Sequence, residues 1–142
     1  MIHQFLYAAL SIIGFSVLFN IPSNAILKTA FSGALGWFTY AYMHIQLNQS
    51  LVIASFVAAC MVAFISEIFA RRFKEAVTVF IIPGILPLVP GSGMYYTMLA
   101  IIEKDFSKAA LIGSETFFVA GSIAAAIFII ASITRLFFIK KI

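Results

Sequence analysis

Charge is what this chain has least of. Five acidic and nine basic residues make up 10% of its 142 residues, and no long polar stretch exists from which a solvated surface could be built. A soluble domain is therefore excluded as the main reading. The net charge of +4 does not point to nucleic acid, because the basic residues stand in short clusters between apolar runs and form no polar face. Cysteine is nearly absent. Cys60 alone, inside an apolar run, excludes an internal disulfide and a cysteine-based metal site, and reads as a small core hydrophobe. Catalytic clusters are missing too: the chain holds no zinc-protease signature, phosphate loop, nucleophile with a base, or paired-carboxylate arrangement. An enzyme is not expected, and no cofactor is called for. The N-terminus, Met1-Ile2-His3-Gln4, lacks the basic start and small-residue cleavage site of a signal peptide, so it is taken as the start of a mature spanning segment.

What the chain has is apolar length. Hydrophobic residues make up 63% of it and mean hydropathy is +1.12. A spanning helix takes about 20 apolar residues to cross roughly 30 Å of hydrocarbon. Five such segments are expected, near 3–20, 29–46, 50–70, 76–102 and 110–138. Polar or proline-bearing stretches separate them: Asn20 to Asn24, Gln46 to Ser50, Arg71 to Glu75, and Glu103 to Lys108. The expected fold is an all-α polytopic membrane bundle forming one integral membrane domain over residues 1–142. Lys28, Arg71, Arg72, Lys74, Arg135, Lys140 and Lys141 fall on one side and only Lys104 and Lys108 on the other. Cytoplasmic loops collect Lys and Arg, so the N-terminus is placed outside and the C-terminus in the cytoplasm. Small residues at i, i+4 spacing (Ala30 with Ala34, Ser55 with Ala59 and Ala63, Gly121 with Ala125) are read as helix-packing seams. Trp37, Tyr40, Tyr42, Tyr95 and Tyr96 are read first as packing or interfacial residues.

The fourth segment cannot be one continuous helix. Residues 82–93 hold three prolines and three glycines in twelve positions, which places the expected break between Pro83 and Gly93. Each helix-interior Pro costs about 3 kcal/mol and strips a carbonyl of its donor. Such backbone is tolerated at membrane depth only when buried in protein or lining a wet cavity. The half-helices on either side each cover about half the hydrocarbon thickness, so the break lies near the midplane, where discontinuous helices of secondary transporters hold substrates. Ser92 is expected to cap the second half-helix and leave free N–H groups for a carboxylate, making Pro87, Pro90, Gly91, Ser92 and Gly93 substrate-site candidates. Gly91→Leu is expected to crowd unwound backbone and abolish transport. The plainer alternative is a kinked helix repaired by its neighbours.

Phe19-Asn20-Ile21-Pro22, then Gly33-Ala34-Leu35-Gly36-Trp37, then Pro87-Leu88-Val89-Pro90-Gly91 followed by Tyr95, resemble in order the small subunit of the bacterial threonine/serine exporter family. The resemblance covers nearly the whole chain. It implies one half of a plasma-membrane exporter of threonine and serine, or in some split members of succinate, driven by the proton gradient. It also implies a larger membrane subunit as partner. Asn20 and Tyr95 join the substrate-site candidates. Where the family often carries Pro after the basic loop, this chain has Glu75-Ala76-Val77, which puts the geometry of the cytoplasmic gate in question.

Ionisable groups at membrane depth are costly and are functional candidates by default. Glu67, four residues before Arg71, is read as an i, i+4 ion pair or as a coupling site. Glu115, with no basic residue following within helical reach, is read as a proton-coupling or ammonium-binding group, or as an interfacial carboxylate. His3 and His44 are placed at the outer interface, and Asn20, Ser66, Thr78 and Thr97 either meet substrate or bond back to their own helices. A channel or structural membrane subunit without its own substrate site is the rival function. Five helices are too few for a two-half transporter, so a larger subunit or a homo-oligomer must complete the site within the bilayer.

Overall fold

A computed structural model describes residues 2–139. Lys140 and Lys141, two of the cations used for orientation, lie outside the described residues. The order is α1 (Ile2–Leu18), α2 (Ser23–Ala41) running on into a π-helical turn (Tyr42–Gln46), α3 (Leu51–Phe73), α4 (Thr78–Ile85), a 3-10 turn (Leu86–Leu88), α5 (Gly91–Ile102) and α6 (Phe106–Ile139). Among the described residues no strand occurs, and the helices fall on the five expected segments. By length and apolarity, α3 and α6 suffice to cross a membrane. The pair Thr78–Leu88 and Gly91–Ile102, bent by 54° at the break, makes a third if it is one span. α1 is apolar but short, with His3–Leu18 as its apolar stretch.

The ends of these helices follow from local chemistry. The Ser50 hydroxyl accepts from the Ile53 N–H at 3.3 Å and caps α3, while Lys74 ends it in the left-handed conformation at φ 58°. Asn20 ends α1 in the same way at φ 54°, the Ile21 N–H reaching back to the Ser16 carbonyl at 3.0 Å. Asn tolerates that conformation because its side chain is short and polar.

Small residues let the helices approach. Ala30, Ala34, Ser55, Ala59 and Ala63 are buried, as the seams predicted. Gly121 and Ala125 are not: both are exposed on α6, so that pair packs against nothing within the chain. α2 and α4 cross at a glycine pair, where a Cβ built on Gly33 would stand 2.6 Å from the Gly84 carbonyl oxygen. This contact seats α4 against α2 and α3, whereas α5 packs on α6.

The break is shorter than expected. Helix α4 runs through Pro83 and Gly84 to Ile85, and only residues 86–90 leave the α-helix. Pro83 has no N–H for the carbonyl of Val79 four residues earlier. The Thr29 hydroxyl, 3.0 Å from the Ala25 carbonyl, also stands 3.5 Å from that oxygen and offers it a donor. A neighbouring helix thus carries the helix past its first proline.

Candidate functional site

Three local bonds shape the break. The Leu86 N–H bonds the Pro83 carbonyl, and the Val89 N–H bonds the Leu86 carbonyl at 3.1 Å. The Gly91 N–H then bonds the Val89 carbonyl at 2.8 Å across Pro90, whose φ −76° and ψ 59° are those of an inverse γ-turn. Pro90 therefore occupies the cap position of α5, and its carbonyl accepts from the Met94 N–H at 3.1 Å. This corrects the expectation for Ser92: it stands in the first turn and makes no cap bond. A proline fits there because the cap residue contributes its carbonyl and needs no N–H. With the Gly91 N–H used, the amides of Ser92 and Gly93 are the unpaired donors of the first turn.

Having left the axis of α4, α5 is fastened to α6 by a reciprocal fit. A Cβ at Gly93 would collide with the Thr116 side chain, and one at Gly113 would stand 3.1 Å from the Thr97 Cγ2. Both threonines bond back to their own helices, Thr97 to the Gly93 carbonyl and Thr116 to the Ile112 carbonyl, each at 2.7 Å. Each hydroxyl in the seam is thereby satisfied within its own helix.

Between this hairpin and the helices α2 and α3 lies a cavity of about 410 Å³. Its walls are the break from Pro87 to Pro90, Ser92 and Gly93 of α5, Trp37 and Tyr40 of α2, Ser55 near the start of α3, and Glu115 and Thr116 of α6. It lies toward the end of the bundle where α3 begins. Trp37 and Tyr40 of α2 and His44 of the π-helical turn form a ladder of rings, with centroids 5.2 and 5.8 Å apart, leading from the cavity to that end. Glu115 is the one ionisable carboxylate in the wall, and no Lys, Arg or His lines it.

Of the residues singled out from the sequence, Pro87, Pro90, Ser92, Gly93 and Glu115 meet in this cavity. Gly91 is exposed beside it, and a Cβ there would meet no atom within 4 Å, so crowding belongs to Gly93 instead. Tyr95 is 63% exposed and packs edge-on against Tyr96, which lines the cavity in its place. Asn20 and Glu67 stand elsewhere. Asn20 makes the exposed turn after α1, next to Ile21, which packs with Ala25, Ala70 and Phe80 at the opposite end of α3. That end is about 25 Å from Ser55 at 1.5 Å per residue. Glu67, only 9% exposed, accepts a 2.9 Å ion pair from the Arg71 guanidinium. His3 and His44 are exposed, and Ser66 is buried with its hydroxyl unbonded. Among the described residues, no group of three or more His, Cys, Asp or Glu is placed to hold a metal ion.

Trp37, Tyr40, Ser55, Tyr96 and Thr116 were not among the site candidates. For Trp37 and Tyr40 the signal was an aromatic pair three residues apart on a helix face, and for Ser55 a hydroxyl where alanine would have packed equally well.

The model of the family described as "Threonine/Serine exporter, ThrE" matches residues 4–133. A protein of Haemophilus influenzae described as an uncharacterized protein is 29% identical over 103 residues, covering 72% of this chain and 34% of that protein. The chain thus spans about a third of the length of the curated relative it matches. No solved structure matches it. Because the match runs through every helix and takes in the proline-rich turn that walls the cavity, the chain belongs to the threonine/serine exporter family.

Proposed function

We propose that this chain is one part of a plasma-membrane exporter of small amino acids such as threonine and serine, and that its ligand occupies the cavity at the α4–α5 break. In this reading the chain crosses the membrane five times, α4 and α5 together making one broken crossing, with the N-terminus outside and the C-terminus in the cytoplasm. A larger membrane subunit completes the route, and Glu115 carries the coupling proton.

The observation that carries the reading is the composition of the cavity wall: unpaired amides and hydroxyls at a helix N-terminus, together with one carboxylate and no cation. A helix N-terminus favours a carboxylate, and Glu115 favours an ammonium group. A zwitterion satisfies both. Succinate would bring two negative charges to a wall whose one ionisable group is itself acidic, so the dicarboxylate is the weaker candidate. The need for a partner rests on α6, of whose apolar window only 17% is buried, and on the length of the relative beyond the matched part.

The test is counterflow in vesicles holding the chain with or without its larger subunit, offered labelled threonine, serine and succinate side by side. Saturable, proton-dependent exchange of the two amino acids with both subunits, and none with this chain alone, is the expected result. Conductance without saturation would favour a passive channel, and exchange by this chain alone would remove the partner from the account.

A further inference from the structure

We propose that Ser55 binds the substrate carboxylate and so determines specificity in this cavity. The inference rests on the exporter reading above and assigns a contact that neither the break nor the family match identifies.

Ser55 is 1% exposed, lines the cavity, and has no hydrogen-bond partner within the chain. That sets it apart from the hydroxyls that are satisfied within their own helices. In an apolar helix a Ser or Thr ordinarily donates to the carbonyl three or four residues earlier. Thr29, Ser32, Thr39, Ser114, Ser122 and Thr134 all do so. Ser16 and Ser66 are also unpartnered, but their hydroxyls are sealed inside the protein, whereas Ser55 reaches the wall of a cavity. The Ser55 hydroxyl is therefore a donor open to the cavity and not committed to a carbonyl of its own helix.

Across the same cavity stands the first turn of α5, a helix of 12 residues, with the Ser92 and Gly93 amides unpaired. An oxygen ligand held by those amides meets the Ser55 donor from a second helix. This makes a fork suited to the two oxygens of a carboxylate. Glu115 is an acceptor when charged and cannot serve the same oxygens, so it is left for the opposite pole of the ligand.

The experiment compares threonine and threoninamide as competitors of labelled-threonine counterflow in vesicles holding both subunits. The two competitors differ only at the carboxylate. In the wild type threonine competes better than its amide, and in Ser55→Ala this preference shrinks by about ten- to a hundredfold, because a hydrogen bond to a charged group is lost. The KM for threonine rises while kcat per inserted protein changes little, and Ser55→Thr, which keeps the hydroxyl, retains the preference. A Ser55→Ala protein that transports with an undiminished preference for threonine over its amide would overturn the assignment while leaving the exporter reading intact. Absence of transport in the wild-type complex would overturn both.

Discussion

Gly91 and Gly93 stand two positions apart in one helical turn and differ entirely in what a side chain would meet. Open space surrounds the first, and the Thr116 side chain sits against the second. Overpacking a tight contact typically costs about 1–3 kcal/mol. Gly93→Leu is therefore expected to cut counterflow more than tenfold by pushing α5 off α6, while Gly91→Leu stays within about twofold of wild type, both rates taken per inserted protein. Equal losses would show that the collision with Thr116 is not what matters. Glu115 is a second case at this scale. As the one ionisable carboxylate of the wall, it is the group whose protonation changes the charge of the cavity. Glu115→Gln is expected to abolish the stimulation of efflux by an inward proton gradient while gradient-free exchange persists. Undiminished proton stimulation in that variant would move coupling elsewhere, with the Glu67–Arg71 pair next in line.

At the scale of the element, α4 shows how a helix survives a proline. Pro83 withdraws the donor that Val79 needs, and Thr29 of α2 stands within reach of the orphaned carbonyl. Thr29→Val should lower stability by about 1 kcal/mol in the wild type and by less in a Pro83→Ala background, where the backbone N–H is restored. A double-mutant cycle on Tm in detergent checks this, and additive effects would mean that the Thr29 contact contributes nothing. The Gly33–Gly84 crossing offers a harsher probe, since Gly33→Leu forces a side chain against backbone and should lower Tm more than any substitution in the α5–α6 seam.

The positions of the helices were legible in the sequence because polar and proline-bearing stretches interrupt apolar runs at nearly every turn. The extent of the break was not: proline spacing places Pro83 and Pro87 in one interruption, yet only a neighbour seen in space explains why α4 passes the first and stops before the second. The capping role given to Ser92 failed for a related reason. Ser is the commoner cap in general, but Pro90 already held the γ-turn and supplied the carbonyl that a cap requires. Half of the site was readable from the proline run and Glu115. The other half, Trp37, Tyr40 and Ser55, comes from helices α2 and α3, whose packing onto the break is a long-range fact without a local signal.

At the scale of the whole molecule, α4 is seated in the body of α1, α2 and α3, while α5 hangs on α6 with a cavity between them. The bend of 54° turns α5 away from α4, and the Ser92 and Gly93 amides are left unpaired at that turn. The account depends on that cavity being wet and receiving the ligand. The most direct measurement places a single cysteine at position 92, or at the buried position 62 as a control, in a Cys60→Ala chain assembled with its larger subunit. Each is treated with a membrane-impermeant thiol reagent with and without threonine. The account predicts rapid labelling at Ser92→Cys, slowed by threonine, and little labelling at Val62→Cys, which is buried in the core between the helices. A cysteine at 92 that stays unlabelled, or that labels at a rate threonine does not change, would contradict it.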